Sequence, residues 1–342
     1  MELAESRLEQ KEQEVSTTYI DLTRHGNRFG GKMKVEVGGL THEFNDEELL
    51  TPRGRVASGN FGANYPEDVI LVHPRGGVTI RHGQTGEDIL EGSAKIGPAR
   101  TKAGAGPSPV IVNERVKTSR AGQGLDYKQI NMPDEVFKNI KKVINDELNR
   151  IVQGLDPKEQ AEFIKPENKE LRAKYREQAQ VVGLKELMKV EDSVRIAAEN
   201  EAYELLHMIE LSRRSVKAGN KAAAIPNVGS GMFAESLYKY ALVVEDLGTG
   251  NKKIGFDNID EIGGFTKQAT AFRIIAKRDF SKEIKNKDLE HLEDDTEFDY
   301  QFTDPERAKF FEGKKVYLDW DKVRELSSGA KARFNSQHEE SK

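Results

Sequence analysis

The chain has 342 residues, with 53 lysines and arginines against 58 aspartates and glutamates, for a formal net charge of -5. This mildly acidic balance gives no global attraction to nucleic acid or to an anionic membrane surface. No cysteine is present, which excludes disulfides, thiolate catalysis and zinc–thiolate sites. The charged N-terminus lacks the apolar core of a signal peptide, and no apolar run is long enough to span a bilayer. We therefore expect a cytoplasmic protein.

The first half of the chain alternates short apolar runs with helical patterns. Thr51 followed by Pro52 is typical of a helix start, because threonine accepts a hydrogen bond at the N-cap and proline fits the first helical position. A Gly-rich polar segment, residues 30–48, precedes it. We predict strands at 17–23, 68–72 and 109–112. The helix that starts at Thr51 lies between the first two strands, and a second helix, at 83–91, lies between the last two.

The second half begins with a long helical region. Apolar residues recur at helical spacing from Pro133 to Gly154, and a second amphipathic helix is predicted over 186–216. A strand (222–228), a helix (232–242) and a further strand (270–277) follow. Strands separated by helices indicate a mostly parallel sheet that is covered on both faces. The predicted fold class is α/β, a three-layer sandwich with an inserted helical cap.

The predicted domain organisation follows from these elements. A flexible N-terminal tail covers residues 1–15, and the α/β domain covers 16–282. The helical insertion lies within that domain at about 133–218. Residues 283–342, acidic and then basic, are predicted to form a peripheral C-terminal helical extension.

The first strand leads into the most informative run of the sequence, Ile20 to Arg28. His25 stands there between Arg24 and Arg28, and Gly26 lets the backbone turn. Arginine suits a phosphoryl group because its planar fork makes two charge-assisted hydrogen bonds and keeps its proton. The carboxyl ends of parallel strands are natural anion sites. The run therefore indicates a histidine that attacks a phosphoryl group held by arginines.

This run resembles the Arg-His-Gly signature of the histidine phosphatase (phosphoglycerate mutase-like) superfamily. Leu50 to Arg55 resembles the Leu-Thr-x-x-Gly segment of that family, and Arg81-His82-Gly83-Gln84-Thr85 resembles its Arg-Ala-x-Gln-Thr segment. Asn113-Glu114-Arg115 is similar to the Asn-Glu-Arg in which family mutases keep their proton donor. The four segments occur in the family's order. His82 stands where the family has a small residue, and we assign it no function.

The resemblance implies a mechanism for this chain. His25 would be the nucleophile and form a phosphohistidine, while Arg24, Arg28 and Arg81 would hold the phosphoryl group. Glu114 would donate a proton to the leaving group. The resemblance further implies that neither a metal nor a cofactor is needed, and that the substrate is a phosphorylated small molecule or phosphoprotein.

One departure from the family pattern lies at Asn227-Val228-Gly229-Ser230-Gly231. The family has a second histidine there, at the end of a strand and before a helix, and Ser230 is its best match; alternatively the histidine was deleted after Ser230. No histidine occurs between His207 and His291. Loss of one such ligand typically slows a reaction about a hundred- to a thousandfold. Ser230 is expected to cap the helix and to donate one hydrogen bond to the phosphate.

Three functions remain open on the sequence alone. The first is a phosphomonoester hydrolase that is weakened by the missing histidine. The second is a catalytically inactive relative that binds phosphate or a phosphorylated ligand. The third is a nucleotide-binding protein, because Gly229 to Ala234 matches G-x-G-x-x-A between a strand and a helix. Glu245 and Asp246 come too early to serve as the ribose-binding acid, which disfavours the third.

Overall fold

The computed structural model describes residues 15–26, 28, 31–46, 49–66, 69, 71–72, 74–76, 80–94, 111–112, 133–217, 222–229, 232–279 and 292–339. Two of the predicted site residues, Glu114 and Ser230, lie outside the described residues, as does almost all of the predicted N-terminal tail.

The strands of the described residues begin at the end of that tail, since Val15 already belongs to the first of them. In chain order they are β1 (Val15–Arg24), β2 (Lys32–Val37), β3 (Leu40–Asn45), β4 (Leu71–Val72), β5 (Arg75–Gly76), β6 (Ile111–Val112), β7 (Ala222–Gly229), β8 (Leu242–Asp246), β9 (Lys252–Ile254), β10 (Ala271–Asp279), β11 (Glu297–Phe302) and β12 (Lys314–Leu318).

Each helix predicted at 83–91, 133–154, 186–216 and 232–242 has a counterpart, whereas Pro157–Phe163 and Lys169–Leu187 were not predicted as separate helices. In chain order, the helices of the described residues are α1 (Pro52–Ala63), α2 (Ile80–Ala94), α3 (Asp134–Gln153), α4 (Pro157–Phe163), α5 (Lys169–Leu187), α6 (Glu191–Lys217), α7 (Phe233–Ala241), α8 (Leu292–Asp295), α9 (Pro305–Phe310) and α10 (Trp320–Glu339). The helix start predicted at Thr51 is confirmed: its side chain accepts from the Gly54 amide at 3.0 Å, and Pro52 opens the helix. Within the described ranges, no helix combines the length and the apolar character that crossing a membrane requires.

The main sheet is mixed, and the α/β class is confirmed. Its strand order is β11-β10-β1-β7-β5-β6, with β4 also paired to β7. The β1–β7, β4–β7, β5–β7 and β5–β6 pairs are parallel, as predicted, whereas β10 and β11 run antiparallel to their neighbours. β1 is therefore a central strand, and its carboxyl end lies beside that of β7.

The two faces of β1 and β7 contribute to different apolar clusters. Ile20, Leu22 and Ile225 belong to the larger one, which also contains side chains of α5, α6, α7 and α10. On the other face, Ala224 and Val228 pack with aromatic and aliphatic residues of α1 and α2. Alternate residues of a strand point to opposite faces, so Arg24, two residues after Leu22, continues the face toward α6 and α7.

The segment 30–48, read from sequence as Gly-rich and polar, contains a β-hairpin. Lys32–Val37 pairs antiparallel with Leu40–Asn45 around Gly38 and Gly39. Its buried side chains, Met33 and Val35, pack against α3, α4 and α5 in a third apolar cluster. The helical insertion is thus divided: α3 and α4 pack with the hairpin, while α6 packs on the main sheet.

The C-terminal segment differs from the predicted helical periphery. β11 forms the edge of the main sheet beside β10, and β12 pairs with β8 in a second, three-stranded sheet. Phe302, Trp320 and Val323 are buried in the largest apolar cluster. This segment closes the core, because its aromatic residues cover the face of β10 and α7 that would otherwise be exposed.

Candidate active site

The site begins where β1 ends, and the neighbouring strands fix its backbone. The His25 amide donates to the Gly229 carbonyl at 3.1 Å, which extends the β1–β7 pairing past the strand end. On the side of β10, the Arg24 amide donates to the Thr270 carbonyl at 3.2 Å. The Ala269 amide donates to the Arg24 carbonyl at 3.0 Å. The last residue of β1 and the first residue after it are therefore held by backbone hydrogen bonds from both sides.

Gly26 lies so close to α1 that only glycine fits. A Cβ atom at this position would stand 2.7 Å from the Gly54 carbonyl oxygen and 2.7 Å from Ser58 Oγ. The Gly26 amide donates to Thr85 Oγ1 at 3.1 Å, and that hydroxyl donates to the Arg81 carbonyl at 2.9 Å. The glycine of the Arg-His-Gly run thus packs directly on α1 and α2.

Three of the sequence segments that carry the family resemblance meet at this point. The Thr51 cap begins α1, which brings Gly54 to the Gly26 backbone. Gln84 Oε1, on α2, accepts from the Leu50 amide at 3.0 Å and so joins the other two segments. Three segments that are far apart in the chain therefore pack around the His25 backbone.

The His25 side chain is buried and its ring is oriented by the backbone. Nδ1 lies 2.7 Å from the carbonyl oxygen of Gly26, and the residue is 5% exposed. A carbonyl oxygen only accepts, so Nδ1 carries the proton and Nε2 carries the free lone pair. In this tautomer Nε2 is the ring nitrogen that is able to act as a nucleophile.

The surroundings of His25 keep the imidazole uncharged. Its pKa lies well below 6.5 because the ring is buried, and because Arg81, His82 and Arg24 oppose a further positive charge. Only the neutral imidazole has a lone pair to donate. At neutral pH the ring is therefore in the form that a nucleophile requires.

His82, to which the sequence assigned no function, packs against His25. The ring centroids are 5.5 Å apart, and His82 has no exposed surface. His82 is therefore a buried neighbour of the His25 ring, and its charge would oppose protonation of His25. The sequence feature that could have indicated this contact is the position of His82 next to Arg81, in the first turn of α2.

Arg24 is buried beneath the site, with its guanidinium only partly engaged. Nη1 donates to the Thr266 carbonyl at 3.1 Å, and Nε is buried without a hydrogen-bond partner among the described residues. Burial lowers the pKa of Arg24, while the carboxylates of Glu177 and Glu235 raise it and Arg28 lowers it. Arginine stays protonated in proteins, so this group is a permanent buried cation.

The two other predicted arginines lie close to this pair. Arg81 stands in the first turn of α2 and is 8% exposed, and its charge acts on His25. Arg28 is half-buried, forms an isolated antiparallel bridge with Leu50, and acts electrostatically on Arg24. The structure therefore brings His25, Arg24, Arg28 and Arg81 together.

Glu177, on α5 of the helical insertion, was missed in the sequence. It is half-buried and its charge acts on Arg24. Burial raises the pKa of this carboxyl, and Arg24 partly opposes that effect. No local pattern marks Glu177 among the many carboxylates of the insertion, because only the packing of α5 brings it towards β1.

A buried acidic cluster lies on the same face of the sheet. Glu201 on α6 accepts from Asn227 Nδ2 at 3.3 Å, and Glu204, one turn later, pairs with Arg75 Nη2 at 2.8 Å. The pKa of Glu201 is raised to about 8 by burial and by the charges of Glu204 and Glu235, against the opposing effect of the Asn227 hydrogen bond. Glu201 therefore holds a proton at neutral pH.

The helix predicted to follow the position of the family's second histidine does not begin directly after Ser230, as a Ser230 N-cap would require. The N-cap of α7 is Met232, which makes no side-chain cap hydrogen bond and has a φ of 148°. That φ is strained for a residue with a side chain. The described residues contain no group of three or more histidines and carboxylates that could hold a metal ion.

Comparisons with known proteins give likenesses to solved structures. No protein-family model and no curated protein matches the chain. Among solved structures, a phosphoglycerate mutase from Bacillus anthracis str. Sterne is similar over 76% of this chain and 88% of its own, with 14% sequence identity and a TM-score of 0.32. A TM-score of 0.32 is too low to define a shared fold.

Proposed function

We propose that this chain is a phosphomonoester hydrolase that works through a phosphohistidine intermediate on His25. The observation that carries the proposal is the state of the His25 imidazole. It is buried, uncharged at neutral pH and oriented through Nδ1 by the Gly26 carbonyl, with Arg24 and Arg81 beside it. A neutral nucleophile among fixed cations is the arrangement that phosphoryl transfer requires.

The proposed reaction has two steps. His25 Nε2 attacks the phosphorus, the bond to the leaving oxygen breaks, and Glu114 gives that oxygen a proton. Water then attacks the phosphorus of the phosphohistidine and gives a proton back to the Glu114 carboxylate, while the P–N bond breaks. This releases inorganic phosphate and restores both the neutral imidazole and the protonated Glu114. Arg24, Arg28 and Arg81 hold the phosphoryl oxygens throughout, and Ser230 adds one hydrogen bond where the family has its second histidine.

The proposal includes the architecture around the site. We take the fold as a three-layer α/β sandwich in which the insertion at about 133–218 is the cap over the substrate. The effect of Glu177 on Arg24 supports this, because it brings a side chain of the insertion near the phosphate arginines. The substrate would be a phosphorylated small molecule or phosphoprotein, and the reaction would need no cofactor.

The second candidate is an inactive protein that binds phosphate or a phosphorylated ligand. It is favoured by one observation, the absence of any histidine between His207 and His291. The arginines alone are sufficient to bind an anion, whereas turnover also depends on how well the transition state is stabilised.

The test is phosphate release from a generic aryl phosphate between acidic and neutral pH. We expect release by the wild-type protein that falls to the uncatalysed rate in His25→Ala and is unchanged in His42→Ala, a histidine on the β2–β3 hairpin. Activity should persist below pH 6.5, because the pKa of His25 is well below that of a free imidazole.

A negative result distinguishes the two candidates. If release does not exceed that of His25→Ala while inorganic phosphate still raises the melting temperature, the inactive binding protein is correct. If phosphate has no effect on the melting temperature and no release is seen, both proposals are wrong.

A further inference from the structure

Arg24 is oriented by a loop that the C-terminal segment holds in place. Its Nη1 donates to the Thr266 carbonyl at 3.1 Å. This contact uses one N–H donor of the guanidinium and fixes the orientation of the group. The buried Nε remains without a hydrogen-bond partner among the described residues. The orientation of Arg24 thus depends on where the backbone of Thr266 lies.

Thr266 is in turn fixed by two buried ionisable side chains. Its amide donates to Glu235 Oε1 at 2.6 Å, and its hydroxyl accepts from Arg307 Nη1 at 2.9 Å. Arg307 and Glu235 are 2% and 1% exposed, and their closest charged atoms are 3.8 Å apart. Water does not compete at this depth, so each contact restricts the loop more than it would at the surface.

Arg307 is itself rigidly placed. Nε donates to the Ile262 carbonyl at 2.9 Å, and the guanidinium lies 4.5 Å from the centroid of Phe302 and 5.5 Å from that of Tyr238. Its helix, α9, follows directly on β11, the edge strand of the main sheet. Arg307 therefore connects the 262–266 loop to the sheet itself.

We infer that Arg307, together with Glu235, is a positioning residue that orients Arg24 for the phosphoryl group by fixing the Thr266 loop. The inference rests on the proposed function, since it concerns how an arginine of that site is held. Arg307 touches no substrate. Its contribution is to keep the Thr266 carbonyl on Nη1, so that the remaining N–H groups of Arg24 stay directed at the anion.

The first experiment measures the affinity for inorganic phosphate by calorimetry. Arg307→Met removes the two donated hydrogen bonds. We expect the affinity for phosphate to fall about 10- to 100-fold, the range that the loss of one hydrogen bond to a charged group produces. Arg213→Met is the matched control. Arg213 is also buried and pairs with a carboxylate, Asp295, but it lies near Arg278, towards the opposite end of the sheet.

A double-mutant cycle separates positioning from general damage. If Arg307 acts through Arg24, then Arg307→Met has no further effect on phosphate affinity once Arg24→Met is present. Additive losses in the double variant would overturn the inference, and so would wild-type affinity in Arg307→Met. If Arg307→Met fails to fold, Thr266→Val replaces it, because this change removes only the hydroxyl contact and should still weaken phosphate binding.

The two levels of the proposal fail differently. A wild-type protein that neither binds phosphate nor releases it from an aryl phosphate overturns the proposed function. A wild-type protein that binds phosphate normally, with an Arg307→Met affinity no different from that of Arg213→Met, overturns only the positioning role.

Discussion

At the level of single residues, burial decides which form each titratable group takes. His25 and Glu201 are both buried, and burial disfavours the charged form of each. The consequence for His25 is an available lone pair, whereas Glu201 keeps its proton at neutral pH. The raised pKa of Glu201, about 8, makes the stability of the fold depend on pH.

The sign of that dependence follows from the unfolded state, in which the pKa of Glu201 returns to about 4.3. Between these two values the folded protein binds one proton more than the unfolded one. The free energy of unfolding therefore falls as the pH rises towards 8, by at most about 1.4 kcal/mol per pH unit from this group. Below the pKa that Glu201 has in the unfolded state, its contribution to the free energy of unfolding is fully present.

We expect Glu201→Gln to remove this part of the pH dependence. Between pH 6 and pH 8 the stability of the wild-type protein should fall relative to that of the variant, as measured by urea denaturation at each pH. Glu170→Gln, an exposed residue of α5, is the control and should follow the wild type. Parallel curves for wild type and Glu201→Gln would show that Glu201 is ionised in the fold.

At the level of elements, the contact between α1 and α2 brings the parts of the site together. A Cβ atom on Gly62 would lie 1.9 Å from the Ile89 carbonyl oxygen, and one on Gly92 would lie 1.9 Å from that of Gly59. The two helices therefore touch through their backbones. This contact matters for function because α1 carries Gly54 and α2 carries Arg81 into the site.

Gly62→Ala should force the two helices apart. Overpacking of this kind typically destabilises a protein by about 1–3 kcal/mol. Gly83→Ala, in α2, is the matched control: a Cβ there meets no atom within 4 Å, so the better helix propensity of alanine should leave stability equal or higher. Urea denaturation measures both. Equal stability of the two variants would contradict the close helix contact.

For the whole molecule, the C-terminal segment is part of the core. Phe302, Trp320 and Leu326 are buried in the same cluster as Ile20 of β1. Through Arg307 the segment also reaches the loop behind Arg24. A purely peripheral extension would have neither kind of contact.

Removal of this segment therefore tests the architecture. We expect a chain ending at residue 291 to lose cooperative unfolding and to aggregate, because the face of β10 and the aromatic side chains of α7 become exposed. A chain ending at residue 339 keeps α10 and should behave like the full chain. Circular dichroism with urea denaturation compares the three. A cooperative transition in the shortest chain would restore the peripheral interpretation.

Local sequence patterns predicted a large part of the fold and the centre of the site. The Thr51–Pro52 helix start, the alternation of strands and helices, and the Arg24-His25 pair at a strand end each have a signature within a few residues. Arg81 was added to the site by the family resemblance of its segment. The hairpin at 32–45 had such a signature too, in its alternating apolar residues and its Gly38-Gly39 turn, but glycine content masked it.

By itself, the sequence determined the α/β class, the strands and helices that carry the site, and the arginines and histidine from which the candidate site is built. Only the tertiary structure decided that His82 packs against His25, that the charge of Glu177 acts on Arg24, and that Arg307 contacts Thr266. These roles depend on burial and on contacts between residues far apart in the chain. Neither has a local pattern, because desolvation and close approach arise only when the elements pack.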